Sequence, residues 1–117
     1  QPFGEMKPDI RNLKNLKYIN FANSGLSELP VEFYELKNLE RLDLNGNKIS
    51  KIDEEIGNLT ELTYLSLYNN RSLSSLPDEI KHLKKLKTFE LGGCNLSKEE
   101  QERIKNQLPN CGVYFPK

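Results

Sequence analysis

The sequence has few of the residues that usually form metal, redox and hydrolytic sites. Its 117 residues include one histidine, His82, and two cysteines, Cys94 and Cys111. A single histidine makes both a histidine-rich metal site and a Ser-His-Asp triad hard to build. Two cysteines cannot form a dense disulfide framework, and their spacing is not that of a CxxC motif. We therefore expect no enzyme activity, no cofactor and no metal, and we expect His82 to be an exposed surface side chain.

Charge and hydrophobicity also exclude some classes of partner. The chain has 17 basic residues (lysine and arginine) and 17 acidic residues (aspartate and glutamate), so its net charge is zero. It therefore shows no excess of positive charge that would indicate nucleic-acid binding. No run approaches the roughly 18 apolar residues of a transmembrane segment. We expect neither nucleic acid nor a membrane span. The chain begins at Gln1 rather than methionine, which suggests that an upstream segment was removed or left out.

The sequence does contain a repeat. The pattern L-x-x-L-x-L-x-x-N at residues 39–47 recurs 23 residues later, at residues 62–70. A period between about 20 and 50 residues predicts a stacked-repeat architecture. Because the apolar residues are periodic, the low hydrophobic fraction of 36% does not indicate disorder. The predicted organisation is one domain over residues 1–117, with a half repeat over 1–15, four repeats over 16–96 and a cap over 97–117.

Each repeat should contain one short strand and one buried turn. The alternation around Leu42 and Leu44 predicts a strand with both leucines on one face. Asn47 then ends the strand, and its amide can bond to the backbone of its own turn and of the neighbouring turn. The same position holds Ser24 in the first repeat and Cys94 in the fourth. One turn cannot bury its apolar residues alone, so stability requires stacking.

Two stretches depart from the repeat. The third repeat is one residue longer, with Arg71 or Ser72 inserted in its turn. We interpret the insertion as a small loop bulge, with a loop pushed toward a binding rim as the alternative. Ser97 followed by Glu100 fits a capping box, and Pro109 should end the helix that begins there.

The cap residues have further expected positions. A last strand is predicted in the stretch Leu108–Phe115, with Cys111 stacked near Phe89. We interpret Cys94 and Cys111 as buried free thiols, with a disulfide as the alternative. The acidic side chains at the start of the helix should be solvated: Glu99, Glu100 and Glu102.

The back half of each repeat resembles a known family. Leu29-Pro30 and Leu76-Pro77 are followed by apolar residues at fixed spacing, as in the 23-residue Leu-Pro subclass of leucine-rich repeats. The ending Leu108–Phe115 after an acidic helix is similar to the C-terminal caps of bacterial secreted members. The resemblance implies an α/β solenoid: a right-handed superhelix with short parallel strands on its concave face and a C-terminal helix-strand cap. It further implies protein binding by the concave sheet, no activity, and a secreted or cell-surface location, with a cytoplasmic one as the alternative.

The outward positions of the strands are the candidate site. Tyrosine offers a large contact area at low entropic cost and is enriched at binding hot spots. The alternative is that tyrosine simply suits strands. Glu32, Tyr34 and His82 should lie on the opposite face. The predicted partner-binding residues are Tyr18, Asn20, Arg41, Asp43, Tyr64, Ser66, Tyr68 and Glu90, of which Ser66 is expected to face solvent.

Three functions remain open from the sequence. The first is a non-catalytic module that binds a protein partner. The second is the recognition part of a larger enzyme whose catalytic domain lies elsewhere. The third is a self-associating structural protein, a homodimer formed through the N-terminal sheet edge near Leu16–Phe21.

Overall fold

Five short parallel strands stack in chain order in the computed structural model, which describes residues 14–115. The sheet order is β1-β2-β3-β4-β5, so each strand lies beside the one that follows it in sequence. Between strands the chain passes through 3-10 helices at Val31–Glu35, Glu54–Asn58 and Asp78–His82. The helix α1 (Lys98–Gln107) precedes the last strand. The strands are β1 (Tyr18–Asn20), β2 (Arg41–Asp43), β3 (Tyr64–Ser66), β4 (Thr88–Glu90) and β5 (Gly112–Tyr114).

The register of the strands follows the sequence repeat. Leu42 pairs with Leu65, 23 residues on, and Leu65 pairs with Phe89, 24 residues on. The extra residue is therefore real, and it is accommodated in a tight turn in which the Leu73 amide donates to the Asn70 carbonyl at 3.1 Å. Arg71, within that turn, is exposed.

The asparagine of each inner turn connects two repeats, as predicted. Asn70 is fully buried, and its Nδ2 donates to the Leu44 and Leu67 carbonyls at 2.9 Å. Its Oδ1 accepts from the Ile49 amide at 3.0 Å. Leu44 and Ile49 belong to the preceding repeat, so one side chain satisfies backbone groups that would cost about 1–3 kcal/mol each if left unpaired.

A left-handed backbone position recurs just before each of these turns. Asn23 and Asn69 have φ of 57° and 62°, and Gly46 and Gly93 have φ of 68° and 82°. A Cβ on Gly46 would collide with the carboxamide of Asn23, and a Cβ on Gly93 would collide with that of Asn69. Each asparagine thus fills the space above the glycine of the next repeat. We call these four residues the left-handed ladder.

The helix of the cap begins and ends as predicted, but one of its side chains differs. Ser97 Oγ accepts from the Glu100 amide at 3.0 Å, and the helix ends before Pro109. Glu100 was expected to be solvated, and this was wrong: its carboxylate accepts from the Leu76 amide at 2.9 Å and pairs with Arg103 at 2.5 Å. The hydrogen bond from Arg103 lowers the pKa of Glu100. The carboxylate ties the cap to the preceding repeat, a contact that the pattern of a single helix does not contain.

The last strand is displaced from the predicted alignment. Val113, not Cys111, lies beside Phe89, because Thr88 pairs with Gly112. Cys111 precedes the strand and is half-buried, and burial raises the pKa of its thiol to about 11. Cys94 is buried, with its sulfur 3.2 Å from the Leu67 carbonyl oxygen. Both cysteines are free, as expected, but only Cys94 is buried as predicted.

Tyr34 belongs to the core rather than to the back surface. It is only 2% exposed, and its ring meets that of Phe33 edge-on, with the centroids 6.0 Å apart. The amide of Asp53 donates to its hydroxyl at 3.4 Å. Burial raises the pKa of Tyr34 to about 12. Tyr34 was expected only to lie on the face opposite the sheet; it is buried there because its ring reaches the next repeat. His82 is exposed, as predicted.

Candidate interaction surface

The outward side chains of the five strands form three parallel rows, which together we call the concave face. The backbone bonding continues one step beyond each strand: the amides of Gly46 and Asn69 donate at 2.8 Å to the carbonyls of Tyr68 and Gly92. All eight predicted partner-binding residues lie on this face. Row one is Tyr18, Arg41, Tyr64, Thr88 and Gly112; row two is Asn20, Asp43, Ser66, Glu90 and Tyr114; row three is Ala22, Asn45, Tyr68 and Gly92.

One end of the concave face is built around a cation. The guanidinium carbon of Arg41 lies 4.0 Å from the ring centroid of Tyr64 and 5.4 Å from that of Tyr18. Its Nε donates to Asp43 Oδ2 at 3.2 Å, and this bond raises the pKa of Arg41. We call Tyr18, Arg41, Asp43 and Tyr64 the Arg41 cluster. Stacking and the ion pair together hold three large side chains in one arrangement.

The middle row of the concave face contains two buried side chains. The expectation that Ser66 faces solvent was wrong. Ser66 is fully buried and Asp43 is only 4% exposed. Ser66 Oγ donates to the carboxamide oxygen of Asn45 and accepts from the Tyr68 amide at 3.4 Å. A short side chain in the middle row is shielded by its larger neighbours. Ser66 therefore orients other groups of the face and offers no exposed contact.

The other end of the face carries two exposed tyrosines. Tyr68 is 48% exposed and lies flat over Gly92, where an added Cβ would be 3.0 Å from its Cε1. Tyr114 is 55% exposed and pairs with Glu90 in register. Its hydroxyl lies over Gly112, 3.2 Å from where a Cβ would stand. We call Tyr68, Glu90 and Tyr114 the Glu90 patch.

Tyr114 was missed by the sequence analysis. The last strand was interpreted only as part of a cap, and its outward side chain was not considered. The signal was present, since an inward Val113 requires its neighbour Tyr114 to point outward. With Tyr114 added, four tyrosines lie on the concave face.

Two predicted polar residues of row two, Asn20 and Glu90, differ in their bonding. Asn20 is exposed, donates to the Tyr18 hydroxyl at 3.2 Å and accepts from the Ala22 amide at 2.9 Å. Glu90 is half-buried between Ser66 and Tyr114. Asn20 thus bonds within its own strand end, whereas Glu90 lies between the buried Ser66 and the exposed Tyr114.

Two shallow depressions lie on the back of the coil. One of 110 Å³ is bordered by Lys81, Lys84 and Asn110, and one of 90 Å³ adjoins Tyr34. Both are well below the roughly 300–1,000 Å³ of small-molecule pockets. Within residues 14–115 no three histidine, cysteine, aspartate or glutamate residues group to hold a metal ion. The same range includes no helix of the length and apolarity that a membrane crossing requires.

Known proteins share this architecture. A solved leucine-rich-repeat protein of Leptospira interrogans superposes with a TM-score of 0.88 at 38% identity, covering 92% of this chain and 27% of that one. An internalin of Listeria monocytogenes, at 22% identity, shares the fold with a TM-score of 0.77, covering 94% of this chain and 31% of that one. These superpositions confirm the predicted α/β solenoid with short parallel strands.

Similarity to curated proteins is confined to short parts of them. A MAP kinase phosphatase with leucine-rich repeats from Dictyostelium discoideum is 36% identical over 66 residues, which are 56% of this chain and 8% of that protein. The chain thus spans less than a tenth of that relative. A family model described as "Leucine-rich repeat region" matches residues 6–108. That match covers most of the sequence, and the chain belongs to the leucine-rich-repeat family.

Proposed function

We propose that this chain is a single-domain, non-catalytic module that binds a protein partner on its concave face. The observation that carries the proposal is the set of tyrosines on that face: Tyr18, Tyr68 and Tyr114 are about half exposed, and Tyr64 stacks on Arg41. Aromatic and arginine side chains dominate the energetics of protein interfaces. A sheet held by a buried leucine core presents them with little conformational freedom to lose on binding.

Tyr64 and Tyr68 are the expected anchors. Both project from β3 or its extension, which is flanked on each side by two strands. An anchor at the centre of an interface can be fully desolvated, while contacts at the rim contribute less. Tyr64 is already ordered by the Arg41 guanidinium 4.0 Å away, so binding need not order its ring. Tyr18, Asn20, Arg41, Asp43, Ser66 and Glu90 surround the anchors, with Asp43 and Ser66 acting through the side chains that they position.

The test compares the two faces of the coil. A partner captured by cross-linking to the wild-type chain is titrated against Tyr64→Ala and Tyr68→Ala, with Val31→Ala and His82→Ala as exposed controls on the back. Each tyrosine variant should lose about 1–2 kcal/mol or more of binding free energy, with little change in stability. Tyr34 is unsuitable as a control because it is buried. If the back variants weaken binding and the tyrosine variants do not, the partner binds elsewhere.

Two alternatives each have one supporting observation. The chain matches small parts of larger proteins, including the Dictyostelium phosphatase, which fits a recognition segment whose activity lies in another domain. The strand β1 lies at the end of the described sheet, where a second copy could add a strand. Light scattering separates the homodimer from the monomer. The recognition segment would be favoured if a tyrosine substitution, made in a longer chain, left its activity intact but abolished binding of its target.

Location is part of the proposal. The similarity to proteins of Leptospira interrogans and Listeria monocytogenes supports a bacterial protein that is secreted or held at the cell surface, rather than a cytoplasmic one. Fractionation of cells that express the chain from its natural gene would decide. Recovery in the cytoplasmic fraction alone would contradict this part.

A further inference from the structure

We propose that the Glu90 patch binds the guanidinium of an arginine that projects from the partner protein. The inference deepens the proposed function and rests on it, because it names the chemistry by which one end of the concave face selects its partner. It starts from a comparison within the molecule, between the Glu90 patch and the Arg41 cluster.

The Arg41 cluster shows what such a site contains. Two tyrosines on the strands flanking β2, Tyr18 and Tyr64, face one guanidinium from both sides. A carboxylate, Asp43, accepts a hydrogen bond from the same guanidinium at 3.2 Å. A planar cation can stack on an aromatic face and bond to a carboxylate at the same time, and a lysine ammonium cannot do both equally well. At this end of the sheet the chain supplies the cation itself.

The Glu90 patch contains the same parts except the cation. Glu90 stands at the end of β4, with Tyr114 opposite it on β5, and the ring of Tyr68 lies over Gly92, two residues further along the chain. Neighbouring strands are about 4.8 Å apart, and residues two apart on a strand are about 7 Å apart, so Tyr114 and the Gly92 position that Tyr68 covers are the neighbours of Glu90 on this face. Glycines at 92 and 112 leave room for the rings to lie along the sheet.

Charge complementarity identifies the missing component. In the three rows of the concave face the charged side chains are Arg41, Asp43 and Glu90, and the first two neutralise each other. Within residues 14–115, the ion pairs of the chain leave Glu90 without a basic partner. A partner that buried this carboxylate without supplying a cation would incur its desolvation cost. An arginine offsets that cost through the ion pair and adds stacking on two rings.

The open geometry of the patch favours a side chain of another protein over a free small molecule. Tyr68 and Tyr114 are 48% and 55% exposed, and the patch lies on the sheet rather than in an enclosed cavity. A long, flexible side chain can enter from above while its backbone remains outside the rows. The rest of the partner would then contact the neighbouring anchors.

A pair of short peptides tests the chemistry without the partner. The full chain, labelled with ¹⁵N, is titrated with acetyl-Gly-Gly-Arg-Gly-Gly-amide and with the same peptide carrying citrulline, which has the shape of arginine but no charge. We expect saturable shifts at the amides of Glu90, Gly92, Gly112 and Tyr114 with the arginine peptide. Binding of the citrulline peptide should be about tenfold weaker or more. Equal binding of the two peptides would overturn the proposal.

Matched variants show whether Glu90 and the rings are responsible. Glu90→Gln should weaken the arginine peptide about tenfold or more, and Tyr114→Ala should weaken it as well. Glu99→Gln removes the same charge from an exposed position on α1 and should leave binding unchanged. A native spectrum of each variant before titration shows that it is folded. Unchanged binding in Glu90→Gln, or an equal loss in Glu99→Gln, would contradict the assignment.

The inference and the proposed function fail differently. If Tyr64→Ala weakens the protein partner but Glu90→Gln does not, the concave face binds the partner and the arginine inference is wrong. If neither variant changes partner binding, the proposed function is wrong, and the inference fails with it as a statement about that partner. If both variants weaken partner binding and the citrulline peptide binds more weakly than the arginine peptide, the proposed function and the arginine inference are both supported.

Discussion

The inner turns of the coil, which contain Asn47 and Asn70, differ from the end turns, which contain Ser24 and Cys94. Asn47 makes five hydrogen bonds to backbone atoms of two repeats. Ser24 Oγ donates within its own repeat, to Ala22 at 3.4 Å, and Cys94 contacts one carbonyl of the preceding repeat. The asparagine position therefore acts mainly between repeats. A side chain with fewer hydrogen-bonding atoms can occupy this position where the stack ends, because fewer backbone groups there depend on it.

The largest expected effect is at the end that the cap covers. A chain truncated before Ser97 would lose α1 and β5 and expose Phe89, Leu91 and Leu96, which are now buried. It would also lose the bond from Glu100 to the Leu76 amide. We expect aggregation or incomplete folding, measured by light scattering and circular dichroism. A soluble monomeric fragment 1–96 with a native-like spectrum would show that the end turn is stable without its cap.

The next effect compares an inner and an outer leucine. Leu65 is 1% exposed at the centre of the stack, whereas Leu16 is 36% exposed beside β1. Leu65→Ala should reduce the free energy of unfolding by about 2–5 kcal/mol, because it leaves a cavity in the packed core. Leu16→Ala should cost clearly less. Chemical denaturation measures both, and equal losses would mean that the end of the stack is as tightly packed as its centre.

Asn70→Ala tests the turns directly. The substitution leaves buried backbone groups of two repeats without partners, so the free energy of unfolding should fall by about 1–3 kcal/mol. The matched control is Ser24→Ala, which removes one long hydrogen bond and should lower the free energy of unfolding by less than about 0.5 kcal/mol. A denaturation midpoint that Asn70→Ala leaves unchanged would contradict the role of the inner asparagine.

The smallest effect is on the concave face. Ser66 is buried and bonded to Asn45, so Ser66→Ala should lower the free energy of unfolding by about 0.5–1.5 kcal/mol. The exposed Ser50 is the control, and Ser50→Ala should remain within about 0.5 kcal/mol of wild type. If the two serine variants unfold alike, the middle row of the concave face contributes no more than an ordinary surface position.

The sequence-based predictions were correct where a residue's role recurs with the period, and incomplete where it depends on a contact that occurs only once in the coil. Leu42, Leu65 and Asn70 were predicted correctly because their roles recur with the period. The predicted environments of Ser66 and Glu100 were wrong, and the burial of Tyr34 was not predicted. Each is decided by a contact with a neighbouring repeat: the Asn45 carboxamide, the Leu76 amide and the Asp53 amide.

The candidate site follows the same division. That the eight chosen side chains share one face could be predicted from strand alternation alone. The stacking of Arg41 between Tyr18 and Tyr64 could not, because it depends on the rotamers of three long side chains on three strands. Tyr68 lying over Gly92 is a further case, since a sequence does not show which neighbour a ring will cover.

The left-handed ladder limits how such a chain can be lengthened. Asn23, Gly46, Asn69 and Gly93 alternate, and each carboxamide needs a glycine in the next repeat. Duplicating one repeat would place asparagine above asparagine or glycine above glycine, whereas duplicating two adjacent repeats would preserve the alternation. Repeats can therefore be added without disturbing the left-handed ladder only in pairs. Chains with two added repeats should unfold at a higher temperature than chains with one added repeat, and thermal unfolding measures both.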